Sequence, residues 1–298
     1  MKLIEKESIK HGTKEINFAI YDHSRSSLII AFEAHWHPEF EINYVYQGTI
    51  SFFMGGRNYT LHEDELLFVN KNQIHSCSDA TNDNRHYVSI VFGEDFVFSN
   101  QNDPLYQKYF YPLYQKNFCF PPVITEETPG GKEILNCVRD FLSIYYQQTF
   151  SYEIFLRSKL LRFFHIALSN DIFIKADYRE TVVNPIVYQA ILTIRQNYKN
   201  PLSIHDLADT CHVTPSYFCR LFKASVGKSP KAYLLDCRIS NAILRLSQTE
   251  DSIHAVSDAC GFDDVNYFAR CFKQRTGLSP TEYRKRNQAH TTPRNDVH

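Results

Sequence analysis

Short apolar runs separated by turn residues characterise the first hundred positions of the chain. The turn residues include Gln47-Gly48 and the Gly-Gly-Arg-Asn stretch at 55–58. The runs are rich in β-branched and aromatic residues, and they lie at Leu28–Phe32, Glu41–Tyr46, Ile50–Met54, Leu66–Val69 and Tyr87–Phe92. Many short strands with no helix between them are typical of an antiparallel barrel or sandwich. The pattern therefore predicts an N-terminal β-barrel.

Apolar residues then recur at helical spacing in two stretches, 131–148 and 151–169. This spacing predicts two amphipathic helices after the barrel. A polar, irregular stretch follows and predicts a linker at 171–183. We therefore predict a first domain at 1–170. Its two helices carry apolar faces that one small barrel does not fully cover, which favours a homodimer interface there.

A repeat of 49 to 50 residues organises the rest of the chain. Fourteen of the 31 positions in 203–233 are identical in the second copy. Among them, Ser203-Ile204-His205 recurs as Ser252-Ile253-His254. Such a density of identities predicts two copies of one structural unit.

Each copy predicts two short helices joined by a tight turn. Thr214 in the first copy and Asp263 in the second precede the second helix as N-caps, and Gly227 and Gly277 lie where that helix ends. Helix, tight turn, helix and glycine stop is the helix-turn-helix pattern. The pattern also predicts a leading helix at 185–198 and a connecting helix at 230–246. The whole domain is predicted at 184–287, followed by a disordered tail at 288–298.

Composition agrees with two globular domains, and charge distinguishes one from the other. A chain of 298 residues with 43% hydrophobic and 22% charged residues is too long for one compact core and too apolar to be mainly disordered. Residues 184–298 hold 15 Lys+Arg and 10 Asp+Glu, against 17 and 23 in residues 1–183. The basic C-terminal part favours nucleic acid as its partner.

Membrane and disulfide-rich classes do not fit the sequence. No run approaches 18 apolar residues, and the charged N-terminus lacks the apolar segment of a signal peptide. The eight cysteines include no C-x-x-C pair, which disfavours zinc-finger and thioredoxin-like domains. We therefore expect a cytoplasmic protein with no membrane partner.

The second repeat copy carries a specific resemblance. It contains Ala259-Cys260-Gly261-Phe262, Tyr267-Phe268 and Gly277-x-Ser279-Pro280 in this order. With these motifs, residues 184–287 closely resemble the DNA-binding region of the AraC/XylS family of bacterial transcription regulators. The resemblance implies an α+β multidomain fold, in which a cupin-like effector domain with dimerisation helices precedes an all-α double helix-turn-helix domain. It also implies double-stranded DNA as a partner, and RNA polymerase if the protein is an activator.

The outward faces of the two second helices form the predicted DNA-binding surface. Burial of Phe218, Leu221 and Phe222 turns the opposite face of the first of them to solvent. The outward positions match the family's base-contacting positions, where Arg reads guanine and Asn reads adenine. The predicted DNA-binding residues are Ser216, Cys219, Arg220, Lys223, Val265, Asn266, Ala269, Arg270 and Lys273.

Two interpretations of the basic residues stay open. Arg220 and Arg270 either read bases or pair with carboxylates such as Asp209 and Asp258. The lysines of the same two helices either contact phosphates or carry solvated charge.

The predicted barrel also holds candidate ligand-binding side chains. The sequence resembles the first cupin motif at His35-x-His37-x3-Glu41 and Gly48. His75 aligns with the histidine of the second cupin motif. The second motif is altered, because Lys71-Asn72-Gln73 replaces its usual Pro-x-Gly turn. Polar and aromatic groups suit a hydroxyl-rich ligand, and the predicted effector-binding residues are His35, His37, Glu41, Tyr44, Tyr46, His75 and His86.

Three imidazoles and one carboxylate are also a donor set for Zn, Fe, Mn or Ni. The altered second motif and the family resemblance favour an organic effector, a sugar or related metabolite, over a metal at this set. We therefore expect a transcription regulator controlled by a small effector, with no catalytic residues and no cofactor. The alternative is a metal-dependent cupin enzyme fused to a DNA-binding domain, which would carry stoichiometric metal.

Overall fold

A computed structural model describes two compact units. The described residues are 16–23, 34–77, 86–98, 102–147, 149–175 and 184–291. One unit comprises the described residues within 1–27, 36–75 and 83–183, and the other comprises those within 28–35, 76–82 and 184–298. The first unit is rich in antiparallel strands and the second is mainly helical, which is the predicted α+β architecture.

Antiparallel strands build the first unit. In the described part of the chain the strands are β1 (Phe18–Asp22), β2 (Phe40–Gln47), β3 (Ile50–Met54), β4 (Arg57–Leu61), β5 (Glu65–Val69), β6 (His75–Cys77), β7 (His86–Phe92), β8 (Phe118–Cys119), β9 (Val123–Ile124) and β10 (Ile174–Lys175). One sheet has the order β1-β7-β2-β5-β9, a second has the order β4-β3-β6, and β8 pairs with β10. Four predicted strands are confirmed as β2, β3, β5 and β7, and the fifth, Leu28–Phe32, lies outside the described residues.

The hairpin between β3 and β4 follows directly from two glycines. Gly55 and Gly56 have φ angles of 59° and 82°, and Met54 pairs with Arg57 across the turn. A two-residue turn with positive φ at both positions matches the twist of the strands, and only glycine adopts it without a steric penalty. Arg57 and Asn58, predicted as part of the turn, are therefore the first residues of β4.

Strand β2 is buried on both faces, because the sheet lies between two layers. Phe40, Ile42 and Tyr44 pack in a core that includes residues of two long helices, and Glu41 and Asn43 face the other way. The helices of this unit are α1 (Glu94–Val97), a π-helical turn (Tyr106–Phe110), α2 (Tyr111–Gln115), α3 (Gly131–Gln147) and α4 (Tyr152–Ser169). The helices predicted at 131–148 and 151–169 are thus present as α3 and α4.

The predicted linker and tail both include ordered backbone. Ile172 and Phe173 are buried in the core of the first unit, and Ile174–Lys175 forms β10, so 171–175 belongs to that unit. Apolar side chains that reach the core override the polar character of the stretch as a whole. The predicted tail, 288–298, begins inside a helix that ends at Thr291, and 292–298 lies outside the described residues.

Seven helices in the described residues form the second unit. They are α5 (Pro185–Asn197), α6 (Ile204–Thr210), α7 (Pro215–Val226), α8 (Pro230–Gln248), α9 (Ile253–Ala259), α10 (Val265–Thr276) and α11 (Pro280–Thr291). Helices α6 and α7 form the first helix-turn-helix, α9 and α10 form the second, and α8 connects them. No helix in the part of the chain that the structure describes is long and apolar enough to cross a membrane.

Local capping explains where these helices begin and end. Ser203 and Asp206 form a reciprocal capping box at the start of α6. The N-cap of α10 is Asp264 and not the predicted Asp263, because the carboxylate of Asp264 reaches the backbone N–H of Tyr267, three residues on. Helices α7 and α10 end at Gly227 and Gly277, both left-handed, as predicted.

Candidate functional site

The second helices of the two repeats, α7 and α10, have equivalent buried and exposed faces. Phe218 and Phe222 in α7, and Phe268 and Phe272 in α10, are fully buried. The opposite faces expose most of the predicted DNA-binding side chains, namely Ser216, Arg220, Lys223, Asn266, Arg270 and Lys273. Cys219, Val265 and Ala269 lie on the same faces and are half-buried. Each helix therefore offers a polar, basic face beside a fixed apolar one.

The two arginines on these faces are not held by the carboxylates proposed as structural partners. The guanidinium carbon of Arg220 lies 5.8 Å from the ring centroid of Tyr217. Asp258 pairs with His254, at 3.2 Å between Nδ1 and Oδ2. Within the described residues neither Arg220 nor Arg270 takes part in an ion pair, so both side chains are available to a ligand.

Two exposed tyrosines belong to this surface and were not predicted. Tyr217 and Tyr267 occupy equivalent positions in α7 and α10 and are 42% and 48% exposed. Both repeats have tyrosine at this position, although its side chain faces solvent. Identity at an exposed position is the sequence signal that could have identified them.

An ion-paired triad links the connecting helix to both recognition segments. Asp236 in α8 accepts from Nζ of Lys228 at 2.9 Å and from Nε of Arg275 at 2.9 Å. Lys228 follows α7, and Arg275 lies in the last turn of α10. Asp236 is largely buried, so its two partners are held more firmly than an exposed pair would be. The triad connects the segment after α7 with the last turn of α10 through α8.

In the first unit, the structure brings the predicted histidines and glutamate together. Oε2 of Glu41 lies 2.9 Å from Nε2 of His37 and 3.2 Å from Nε2 of His75. All three side chains are buried. His35, the fourth residue of the predicted set, belongs to the second unit. We call His37, Glu41 and His75 the barrel cluster.

The strands explain this convergence. Glu41 is the second residue of β2 and faces away from the helical layer, and His75 is the first residue of β6. His37 precedes β2, and its carbonyl accepts from the backbone N–H of Asn72 at 2.8 Å. Asn72 has φ of 58°, a left-handed conformation that asparagine tolerates. The altered turn therefore still places the ends of β2 and β6 side by side.

Charge within the barrel cluster keeps Glu41 ionised. Burial by itself raises the pKa of Glu41, but the attraction and hydrogen bonds of His75 and His37 outweigh burial and hold the pKa well below its ordinary value. The cluster is thus a buried carboxylate facing imidazole nitrogens.

Three further polar side chains of the first unit were not predicted. Oγ of Ser89 donates to Oδ1 of Asn43 at 2.6 Å, and Nε2 of His23 lies 3.1 Å from the same hydroxyl. Burial lowers the pKa of His23 to about 4, against the opposing pull of Glu41 and Asp22. Asn43 lies two residues after Glu41 on the same face of β2, so strand periodicity could have identified it.

Three predicted effector residues lie on the other side of the sheet. Tyr44 faces the helices, and its hydroxyl contacts Asp64 and accepts from Nε of Arg139 at 3.1 Å. Tyr46 packs against the same helical core, with its ring centroid 5.8 Å from that of His86. Alternation along the strand separates these residues from Glu41. Tyr44, Tyr46 and His86 therefore lie apart from His37, Glu41 and His75, and their part in effector binding stays a prediction.

A cleft of about 340 Å³ opens in the same unit. Its lining includes the two residues that follow His37 and several groups at the ends of β5 and β7. These residues are Asn17, Pro38, Glu39, Lys71, Asn72, Gly93, Glu94, Asp95, Phe98 and Tyr106. The cleft combines charged groups with two aromatic rings, and Glu39 is joined to the barrel cluster through its carbonyl, 3.2 Å from Nδ1 of His37.

Comparisons with known proteins match both parts of the chain. The model of the AraC-like ligand binding domain matches residues 27–164, and that of a helix-turn-helix domain matches residues 207–286. The uncharacterized HTH-type transcriptional regulator YdeC of Bacillus subtilis is 26% identical over 284 residues, which cover 95% of this chain and 96% of YdeC. The raffinose operon transcriptional regulatory protein RafR of Pediococcus pentosaceus is 32% identical over 96 residues, 32% of this chain and 35% of RafR.

A solved structure is also similar over most of the chain. The structure of ToxT from Vibrio cholerae is 16% identical, covers 90% of this chain and 97% of its own, and has a TM-score of 0.47.

Proposed function

Since the chain belongs to the AraC family of transcriptional regulators, with a ligand-binding domain and a helix-turn-helix DNA-binding domain, we propose that it binds one DNA sequence through α7 and α10 under the control of a small effector. The effector shifts the balance between arrangements of the protein that differ in affinity for DNA. If the protein is an activator, RNA polymerase is its further partner.

The observation that carries the DNA-binding proposal is the matched pair of recognition helices. Each has two buried phenylalanines on one face and, on the other, an exposed arginine with an exposed lysine three residues later. Arginine reads guanine in the major groove and lysine contacts phosphate. Asn266 is the residue suited to adenine. The two helices would read adjacent segments of the major groove, about 34 Å apart.

Substitution of the arginines tests this proposal. We expect Arg220→Ala and Arg270→Ala each to lose about 1–3 kcal/mol of binding to the specific site while binding to random DNA stays nearly unchanged. Fluorescence anisotropy with both DNAs measures the difference. Lys132→Ala, which removes one positive charge from the first unit, is the control and should change neither affinity. An equal loss on both DNAs would assign the arginines to phosphates and contradict base reading.

The effector proposal rests on buried polar groups in the first unit. Asn43 is 1% exposed, and its Nδ2 lacks a hydrogen-bond partner in the described part of the chain. A buried amide without a partner is costly, and a ligand oxygen would satisfy it. A cleft in the same unit has the polar and aromatic lining that suits a hydroxyl-rich molecule, and its volume falls in the range of small-ligand sites.

We propose a sugar or related metabolite as the effector. The charged and aromatic lining of the cleft supports this class of ligand. A thermal-shift screen of mono- and disaccharides against the full chain tests it, because a ligand at 100 times its Kd stabilises the folded state by about 2.7 kcal/mol. Asn43→Ala should reduce the shift and leave DNA affinity without ligand unchanged. A screen in which no sugar raises the melting temperature would contradict the sugar assignment.

A further inference from the structure

The geometry points to Asp236 as a positioning residue that sets the spacing of the two DNA segments, because it ties the segment after α7 and the last turn of α10 to α8. In this role Asp236 contacts neither base nor phosphate and acts through Lys228 and Arg275. The assignment rests on the proposed function, in which α7 and α10 both read DNA.

Apolar packing divides α8 between the two helix-turn-helix copies. Near its start, the ring of Tyr233 packs against Phe222 of α7, with 5.7 Å between the centroids. Farther along, Ile239 belongs to the buried core of the second copy, together with Phe268 of α10. Asp236 lies between these two parts of α8. Apolar contacts have no preferred direction, so packing by itself restrains rotation of α10 on α8 only weakly.

The ion pairs add the directional contacts that apolar packing lacks. Oδ2 of Asp236 accepts from Nζ of Lys228, and Oδ1 accepts from Nε of Arg275, both at 2.9 Å. Each carboxylate oxygen thus has one cationic donor. The Asp236 side chain is 11% exposed, and hydrogen bonds between charged groups are stronger than those between neutral groups. The contact with Arg275 therefore holds the last turn of α10 against α8 at one point and in one direction.

The sequence repeat supports a role between the two copies and not within either one. Features that each copy needs recur, as do the glycines that end the recognition helices. The triad does not recur: at the spacing of 50 residues, Lys228 corresponds to Leu278, Arg275 to Ser225 and Asp236 to Arg286. A contact required inside each helix-turn-helix would be needed twice, whereas a contact that joins the copies is needed once.

Two recognition helices held at one separation discriminate between spacings of their DNA boxes. One added base pair moves the second box by about 3.4 Å along the duplex and rotates it about the axis. Loosely joined helices can follow the displaced box, but they lose more conformational freedom on binding. Loss of the Asp236 contacts should therefore lower both the affinity for the native site and the preference for its spacing.

Binding of the full chain to two DNA sites measures this preference. One is its specific site, and the other has one base pair added between the boxes. We expect Asp236→Asn, which keeps the shape of the side chain and removes its charge, to reduce the ratio of the two affinities at least about threefold. Arg275→Gln should reproduce this loss. The double variant should lose no more than Asp236→Asn alone, because both substitutions remove the same contact.

Asp251→Asn is the matched control. It removes the same charge from the same unit, at a carboxylate that pairs with Arg245 at 3.6 Å, and should leave the ratio unchanged. Asp236→Glu keeps the charge and should restore part of the preference. An unchanged ratio in folded Asp236→Asn and Arg275→Gln proteins would overturn the assignment. A rise in affinity that is equal on both sites and on random DNA would also overturn it, since Asp236 would then only neutralise its two cations.

A distance measurement without DNA separates this assignment from the proposed function. Spin labels are attached at Ala224 and Gln274, equivalent exposed positions of α7 and α10, through a non-natural ketone amino acid, because the chain contains eight cysteines. Pulsed electron paramagnetic resonance gives the distribution of distances between the labels. We expect Asp236→Asn to broaden this distribution and Asp251→Asn to leave it unchanged, and an unchanged width in Asp236→Asn would overturn the assignment. A chain that selects no DNA sequence but shows the broadening would count only against the proposed function.

Discussion

His23 shows how a single partly buried side chain makes stability depend on pH. Its pKa in the folded protein is about 4, because burial disfavours the charged imidazole, whereas an unfolded histidine titrates near 6.5. Between these two values the unfolded chain binds a proton that the folded chain does not. The contribution of neutral His23 to the free energy of unfolding is therefore complete above pH 6.5, and it falls as the pH drops toward 4.

We expect this group to contribute a loss of about 3 kcal/mol across that pH window. Urea unfolding at a series of pH values measures the loss. His23→Gln retains a hydrogen-bonding group next to Ser89 but cannot titrate, so its stability should fall less steeply over the same range. Parallel pH profiles for the two proteins would show that His23 is not the group responsible.

Lys223 and Lys273 are expected to contact phosphates, at equivalent exposed positions of α7 and α10. A lysine that neutralises one phosphate releases about one counterion on binding. We expect Lys223→Ala and Lys273→Ala each to reduce the slope of log K against log salt by about 0.9. Titrations of one DNA site at several salt concentrations give the slope. An unchanged slope would remove that lysine from the interface.

One glycine fixes the turn of the second helix-turn-helix. Gly261 has φ of 82°, and a Cβ at this position would lie 2.6 Å from the carbonyl oxygen of Lys199. Gly277, which ends α10, has φ of 77°, but a Cβ there meets nothing within 4 Å. The two positions share the backbone strain of a left-handed residue and differ in the steric clash.

We therefore expect Gly261→Ala to destabilise the protein more than Gly277→Ala. Gly277→Ala, the control, should lower the free energy of unfolding by about 1 kcal/mol, because alanine is strained in the left-handed conformation. Gly261→Ala should lower it by at least about 1 kcal/mol more, because backbone atoms of Lys199 must move to accept the added methyl group. Thermal unfolding of both variants measures the difference. Equal destabilisation would show that the turn adapts to the added methyl group.

How far the sequence predicted these elements depends on whether their signal is local. The repeat and its helical period predicted α6, α7, α9 and α10, because capping and burial act within a few residues. The barrel cluster followed from a motif confined to neighbouring strands. Alternation along β2 turns Tyr44 and Tyr46 toward the helices, but the sequence alone does not show which face of the strand meets them. Ser89 could not be found, since its contact with Asn43 depends on the pairing of β2 with β7, which joins residues 46 apart.

Helix α4 leaves an apolar strip exposed. Phe150, just before the helix, is 100% exposed, Ile154 is 73% exposed and Leu161 is 36% exposed. Large apolar side chains grouped in this way favour a second copy of the chain as their cover. We expect a homodimer that Ile154→Asp converts to a monomer, measured by light scattering during gel filtration.

The matched control is Leu244→Asp, at a 51% exposed leucine of the second unit, which should leave the dimer intact. An unsubstituted chain that elutes as a monomer at tens of micromolar would contradict the assignment of α4 to an interface.

We propose that one chain reads two adjacent DNA segments through α7 and α10. Selection of bound sequences from random double-stranded DNA by the purified full chain tests this proposal. We expect two enriched boxes whose centres lie about one helical turn, 10–10.5 base pairs, apart, and we expect Arg270→Ala to degrade the box that α10 reads. Recovery of no enriched sequence, or of one box that both Arg220→Ala and Arg270→Ala degrade alike, would contradict it.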